Sequence, residues 1–160
     1  SKGITGGCLP LGATIVNELI FEAFRSSDIA HTFWHGHSYT ANPLSCAVAC
    51  ASLDLFEQEK TMNKVKMISQ GITKEIKNID NSNIIHIRQC GTIAAFEFVS
   101  SNGTSYTNSL KHQIIEFFLQ HRIIVRPLGN ILYFMPPYSA QLGEIQYLFD
   151  TLQKLILRIK

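Results

Sequence analysis

Ile84-Ile85-His86-Ile87-Arg88-Gln89-Cys90-Gly91-Thr92-Ile93-Ala94-Ala95-Phe96-Glu97-Phe98-Val99 is the stretch whose reading decides the fold. Residues 84–88 and 92–99 are rich in isoleucine, phenylalanine and valine, side chains that fit a pleated, half-buried surface, and the Cys90-Gly91 step between them predicts a meander of two strands. On the C-terminal side, Ser100 to Thr104 predicts a turn. A helix is predicted over 107–121, with Leu110, Ile114, Phe117 and Phe118 facing inward. Ile123-Ile124-Val125-Arg126 predicts a third strand, Pro127-Leu128-Gly129-Asn130 a turn, and residues 131–135 a fourth strand. After Pro136-Pro137 a last helix is expected over 140–159. On the N-terminal side, the spacing of Val65, Ile68, Ile72 and Ile76 predicts a helix over 62–76. Residues 61–160 therefore alternate helix and strand as a two-layer α/β domain does, with helices on one face of a small mixed sheet.

Farther upstream, Asn42-Pro43 is a strong helix start: the asparagine side chain can accept from the first free N–H groups, and proline at the first helical position has no donor to lose. That helix is expected over 43–58. Its Ala/Ser/Cys-rich first half allows close approach, and Leu53, Leu55 and Phe56 offer bulkier packing. Residues 26–42 read as an aperiodic loop of functional length. Pro10 to Val16 reads as a short strand. Asn17 predicts a capped helix through about Arg25, with Leu19, Ile20, Ala23 and Phe24 on one side.

The chain has 160 residues, 46% of them hydrophobic, with 14 basic and 12 acidic side chains and a net charge of +2. A chain of that length buries roughly 70% of its unfolded surface, enough for one ordinary core. The scattered charge shows no basic run interleaved with aromatics, which argues against a nucleic-acid partner. No apolar stretch approaches the ~20 residues of a membrane span, so no membrane partner is expected, and the N-terminus lacks the regions of a signal peptide. A cytoplasmic location follows as the expectation. Cys8, Cys46, Cys50 and Cys90 form no CxxC pair, and reduced thiols are expected. Cys46 and Cys50, four apart, could be joined with His35 or His37 into a metal site, but packing as small core residues among Ala47, Ala49 and Ala51 is the preferred reading, and no metal is expected. The opening Ser1-Lys2-Gly3 has no capping residue or lead-in element, and the chain reads as the C-terminal part of a longer polypeptide.

Three segments hold residues that can carry chemistry. In Lys2-Gly3-Ile4-Thr5-Gly6-Gly7, an amine beside glycines could form an imine with a carbonyl once its pKa is lowered, or be a solvated loop lysine. In His35-Gly36-His37-Ser38-Tyr39-Thr40-Ala41-Asn42-Pro43, the Ser38 hydroxyl and nearby N–H groups could receive a phosphate ahead of a helix N-terminus, or bond only their own backbone. His35 and His37 could be ligands or acid/base groups, or could order the loop. Arg126, before a proline that keeps it out of the helical region, could clamp a carboxylate through two parallel hydrogen bonds or simply end a strand in solvent. Tyr133 could face the same place or sit at a core edge. Amine, phosphate site and carboxylate clamp together point to pyridoxal phosphate.

These segments, with Val125-Arg126-Pro127-Leu128-Gly129-Asn130-Ile131-Leu132-Tyr133-Phe134-Met135-Pro136-Pro137-Tyr138, resemble in order and spacing the class III pyridoxal-phosphate aminotransferases over essentially the whole chain. The Arg126 to Tyr138 stretch resembles the biotin-synthesis branch in particular. The resemblance implies a fold-type I PLP-dependent transferase, of which this chain would be the C-terminal portion. Residues 1–42 would be the tail of the large cofactor-binding domain, 43–60 a linking helix and 61–160 the small α/β domain. It implies Lys2 as the covalent anchor of pyridoxal 5'-phosphate and the general acid/base. Ser38, with the backbone of Gly36 and His37, would reach the cofactor phosphate of a partner subunit in a homodimer. Gly36, Arg126 and Tyr133 would line the substrate site, with Arg126 on the substrate carboxylate. The implied reaction passes an amino group, from S-adenosylmethionine as expected donor, to 8-amino-7-oxononanoate, giving 7,8-diaminononanoate. Another ω-amino acid aminotransferase and an inert dimerisation or packing fragment are the alternatives. The position of Ser38 is commonly threonine in that family, and His37 stands where some members have proline. The family's acidic partner for the pyridine nitrogen, its glycine-rich phosphate turn and its ring-stacking aromatic would lie upstream of Lys2, so the isolated chain is expected to be inactive. Strand and helix residues 8–25 without their sheet would leave apolar surface at Leu9, Leu11, Ile15 and Ile20, and self-association is expected.

Overall fold

Two asparagines start the helices of the N-terminal part. The Asn17 side chain accepts from the Ile20 N–H at 3.1 Å to begin α1 (Glu18–Glu22), and the Asn42 side chain accepts from the Leu44 N–H at 3.1 Å to begin α2 (Pro43–Gln58). The computed structural model describes residues 2–79 and 83–159, so Ser1 of the opening tripeptide lies outside the described residues. The chain divides into two units, the first ending at Glu59 and the second beginning at Lys60.

Several expectations for the first unit are corrected. Residues 10–16 form no strand: a strand needs a neighbour to take its N–H and C=O groups, and no described residue of this unit offers one. Helix α1 stops at Glu22 rather than Arg25 and buries none of its residues, as a five-residue helix without a packing partner has little to sustain it. The 26–42 loop is interrupted by a 3₁₀ turn at Ile29–His31, where Asp28 accepts from the Ala30 N–H at 2.9 Å. Helix α2 has the expected bounds but buries only Ser45 and Ala49. Leu53, Leu55 and Phe56 are exposed, and so are Cys46 and Cys50, which were expected in a core.

In the second unit α3 (Thr61–Ile76) precedes β1 (Ile84–Cys90) and β2 (Ile93–Phe98), which pair antiparallel as the meander predicts. Helix α4 (Leu110–Gln120), β3 (Ile131–Phe134) and α5 (Leu142–Arg158) follow. The sheet order is β1-β2-β3, antiparallel throughout rather than mixed, because 123–126 joins no ladder. Register sets the core face: Phe96 stands opposite Ile87 and Leu132, and Ala94 opposite Gln89 and Phe134. Ile68 and Ile72 of α3, Ile114 and Phe118 of α4, and Phe149 and Leu152 of α5 close one hydrophobic core with these residues. The opposite face carries His86, Arg88, Ala95, Glu97, Ile131 and Tyr133, since side chains alternate along a strand.

The turn before β3 is pinned by its glycine and asparagine. Gly129 sits at φ +64, and a Cβ there would come within 1.7 Å of the Ser105 carbonyl oxygen, so only glycine fits. Buried Asn130 donates from Nδ2 to the Phe98 carbonyl at 2.8 Å, tying the turn to the end of β2. Asn108 donates to Ser100 Oγ at 2.7 Å and to the Gly103 carbonyl at 2.9 Å, which closes the 100–109 loop over the same edge.

Candidate active site

Lys2 is exposed and leads into a tight turn. Gly6 N–H donates to the Gly3 carbonyl at 3.1 Å, Cys8 N–H to the Thr5 carbonyl at 3.1 Å, and the buried Thr5 hydroxyl to the Leu9 carbonyl at 2.5 Å. Gly6 and Gly7 hold φ of +57 and +83, left-handed values that let the chain reverse twice within a few residues. The turn lies against α2, with the Cβ position of Gly6 at 3.9 Å from Ser52 Oγ.

The Gly36 to Asn42 segment caps the other end of that helix. The His37 N–H donates to Thr40 Oγ1 at 3.0 Å, the Tyr39 N–H to His37 Nδ1 at 3.1 Å, and the Thr40 N–H to the His37 carbonyl at 3.0 Å. His37 Nδ1 is thus an acceptor, used to order the loop. Ser38 is exposed, and its hydroxyl makes no hydrogen bond among the described residues. It stands just ahead of a 16-residue helix whose first N–H groups favour an anion. Ser52, where the lysine turn meets α2, is about 14 Å of helix rise from Pro43. The lysine turn and the Ser38 loop therefore meet α2 at different levels, and no hydrogen bond joins Lys2 to Ser38 among the described residues.

Arg126 and Tyr133 are brought together, although not on the expected strand. Leu128 and Ile131 exchange N–H to carbonyl bonds at 2.8 and 3.1 Å, closing a tight turn that carries Arg126 back beside Tyr133. Both line one cavity of about 730 Å³ within the second unit, walled by Val125, Phe134, Met135, Ile145 and Leu148. Arg126 is exposed and Tyr133 half-buried. An apolar cavity with a guanidinium at its rim can take a carboxylate on a hydrocarbon chain.

Sequence reasoning missed Glu97. It is 8% exposed on the central strand, accepts from the Thr104 hydroxyl, and lies 3.4 Å from Arg88 Nη1. The Thr104 hydrogen bond, then the Arg88 hydrogen bond and the charges of His86 and Arg88, hold its carboxyl below the usual range against the opposing effect of burial. Strand alternation could have placed Glu97 opposite His86, but nothing local announces Thr104. Arg122 was also missed. It ends α4 at φ +59, the position usually given to glycine, with its own N–H on the Leu119 carbonyl and the Ile123 N–H on the Phe118 carbonyl, both at 2.9 Å. Among the described residues no group of three or more His, Cys, Asp or Glu could hold a metal ion.

Known proteins resemble this chain over nearly its whole length. Adenosylmethionine-8-amino-7-oxononanoate aminotransferase of Geobacter sulfurreducens is 38% identical over 98% of this chain, and that of Synechococcus elongatus 36% identical over 98%. The crystal structure of the Methanocaldococcus jannaschii enzyme of the same name superposes with a TM-score of 0.86 at 31% identity, covering 98% of this chain and 37% of that one. An amine transaminase from an uncultivated Pseudomonas species, solved in its PLP-bound form, gives a TM-score of 0.81 at 25% identity over 99% of this chain and 37% of its own. The chain spans 36% of the length of the two curated relatives. Residues 1–156 match the Aminotransferase class-III family, and the chain belongs to it.

Proposed function

We propose that this chain is the catalytic-lysine and carboxylate-binding portion of a pyridoxal-phosphate enzyme that transfers an amino group from S-adenosylmethionine to 8-amino-7-oxononanoate in the cytoplasm. The observation that carries the reading is the Arg126–Tyr133 pair at the rim of an apolar cavity, which suits a carboxylate on a medium-length hydrocarbon chain. The similarity to enzymes of that name over nearly the whole chain supports it.

The residues present fit part of the cofactor. Lys2 offers an exposed primary amine for an aldehyde carbon, and Ser38, with the backbone of Gly36 and His37, offers a free hydroxyl before a helix N-terminus for a phosphate. When bound, pyridoxal phosphate supplies the electron sink that makes the substrate's Cα–H bond acidic. Lys2 Nζ moves that proton, so it must lose its own charge first. Arg126 orients the substrate by its carboxylate, and Tyr133 shapes the pocket around the chain. Turning the substrate end for end would strand the carboxylate in an apolar wall, which sets the direction of binding. The separation of the lysine turn from the Ser38 loop along α2 supports a homodimer in which Ser38 serves the partner's cofactor.

Borohydride treatment after incubation with pyridoxal phosphate tests the lysine. Mass spectrometry is expected to find the reduced pyridoxyl group on the peptide containing Lys2 and no label in Lys2→Ala. A label confined to other lysines would end the assignment. In a polypeptide of the relatives' full length carrying this chain, Arg126→Ala is expected to raise KM for 8-amino-7-oxononanoate by about 100-fold, the scale of a lost charge-assisted hydrogen bond.

A further inference from the structure

Exposure alternates along the segment that follows α4: Arg122, Ile124 and Arg126 are exposed, while His121, Ile123 and Val125 are half-buried. Ile123 and Val125 pack on the hydrophobic core, so the three exposed side chains share the outward side. Arg122 and Arg126 both line the 730 Å³ cavity. Neither guanidinium has an ion-pair or hydrogen-bond partner among the described residues. Of the other ionisable groups at the cavity, Glu144 Oε2 accepts from the Gln141 N–H at 2.8 Å, His121 Nδ1 lies 2.8 Å from the Phe117 carbonyl, and the Tyr147 hydroxyl donates to the His121 carbonyl at 3.1 Å, while Tyr133 carries no charge as a phenol. Two cations without partners thus meet one carboxylate already committed to a helix cap.

The backbone of Arg122 adds a second, independent observation. At φ +59 it occupies a conformation that L side chains rarely adopt and glycine adopts freely, and the two hydrogen bonds that close α4 there need only the backbone. A side chain carried at such a position beside a cavity is the kind of local strain found at binding sites.

We infer that Arg122 is a second anion-binding residue of this cavity, acting with Arg126 on the carboxylate of a ligand whose hydrocarbon chain lies against Val125, Phe134 and Ile145. The inference rests on the reading of Arg126 as the carboxylate's partner and extends it. Two guanidiniums hold a carboxylate more tightly than one, and they favour anionic ligands over neutral ones of the same chain length.

The test uses the 160-residue chain and nonanoate, a plain nine-carbon carboxylate, titrated by ligand-observed NMR at low and high salt. Arg122→Gly is expected to weaken binding about five- to tenfold and to flatten its salt dependence. Its thermal midpoint is expected to be no lower than that of the wild type, because glycine relieves the left-handed strain. Arg122→Lys should retain most of the affinity, since the charge is kept. An Arg122→Gly chain with wild-type affinity and salt dependence overturns the inference, and loss of binding in Arg126→Ala alone would then leave the carboxylate reading in place. A wild-type chain that binds nonanoate no better than Arg126→Ala sinks the Arg126 reading, and this one with it.

Discussion

Glu97 shows a charge held in place by residues scattered along the chain. Its carboxylate accepts from Thr104, leans on Arg88 and faces His86 across the ladder, and these contacts outweigh the burial that would favour the neutral acid. The folded-state pKa is therefore depressed relative to the unfolded chain. A depressed carboxyl contributes stability above its unfolded pKa and loses it as the pH falls through the folded value. Glu97→Gln keeps the shape and removes the charge. Its thermal midpoint is expected to fall below wild type near neutrality and to converge with it as the pH drops below the ordinary carboxylate range. Two curves running parallel over that range would show that Glu97 does not set the acid limb. Of this cluster the sequence displayed the two strands that carry Arg88 and Glu97, but not the partner: Thr104 lies in the loop after β2, against which Gly129 and Asn130 set the turn before β3.

Elements with a local start signal formed where the sequence placed them. Asn42-Pro43 opens α2, and the periodic isoleucines of α3 deliver Ile68 and Ile72 to the core. The runs 10–16 and 123–126, equally rich in strand-forming residues, formed none, because a strand is completed by a neighbour rather than by its own sequence. The sheet that did form is fastened by aromatic packing. The Phe96 ring meets Phe134 at 5.4 Å and Phe149 at 5.8 Å between centroids, and Phe118 meets Phe134 at 5.9 Å, linking β2, β3, α4 and α5. Phe96 is fully buried. Phe96→Ala is expected to cost about 3–5 kcal/mol through lost transfer energy and the cavity left behind, read as a shift of the urea midpoint. A loss under about 1 kcal/mol would mean that the cluster closes over the gap and does not hold the sheet.

At the scale of the whole chain the two units differ in what they cover. The second has a core of fully buried side chains from three helices and the sheet, whereas the first, among its described residues, buries only Thr5, Ser45 and Ala49. Ile15 is 94% exposed, Leu19 81% and Trp34 75%. Apolar surface of that extent favours association. Light scattering of the purified chain is expected to show a mass that grows with concentration, and Ile15→Asp with Leu19→Asp to move it towards the monomer. A single monomeric species at high concentration would refute this expectation.

The candidate site divides in the same way. The lysine turn, the Ser38 loop and the Arg126 to Tyr138 stretch were visible as motifs because each is contiguous. Their family resemblance agrees with the match over residues 1–156. The sequence by itself determined the capped helices, the β1–β2 meander and the residue types able to do the chemistry, since these depend on neighbours a few positions away. Tertiary structure alone decided which apolar runs became strands, that Arg126 and Tyr133 share a cavity, that Glu97 is held by Thr104, and that Arg122 lies at that cavity. Each of those depends on residues outside one element's own run meeting in space, and no pattern within that run records the meeting.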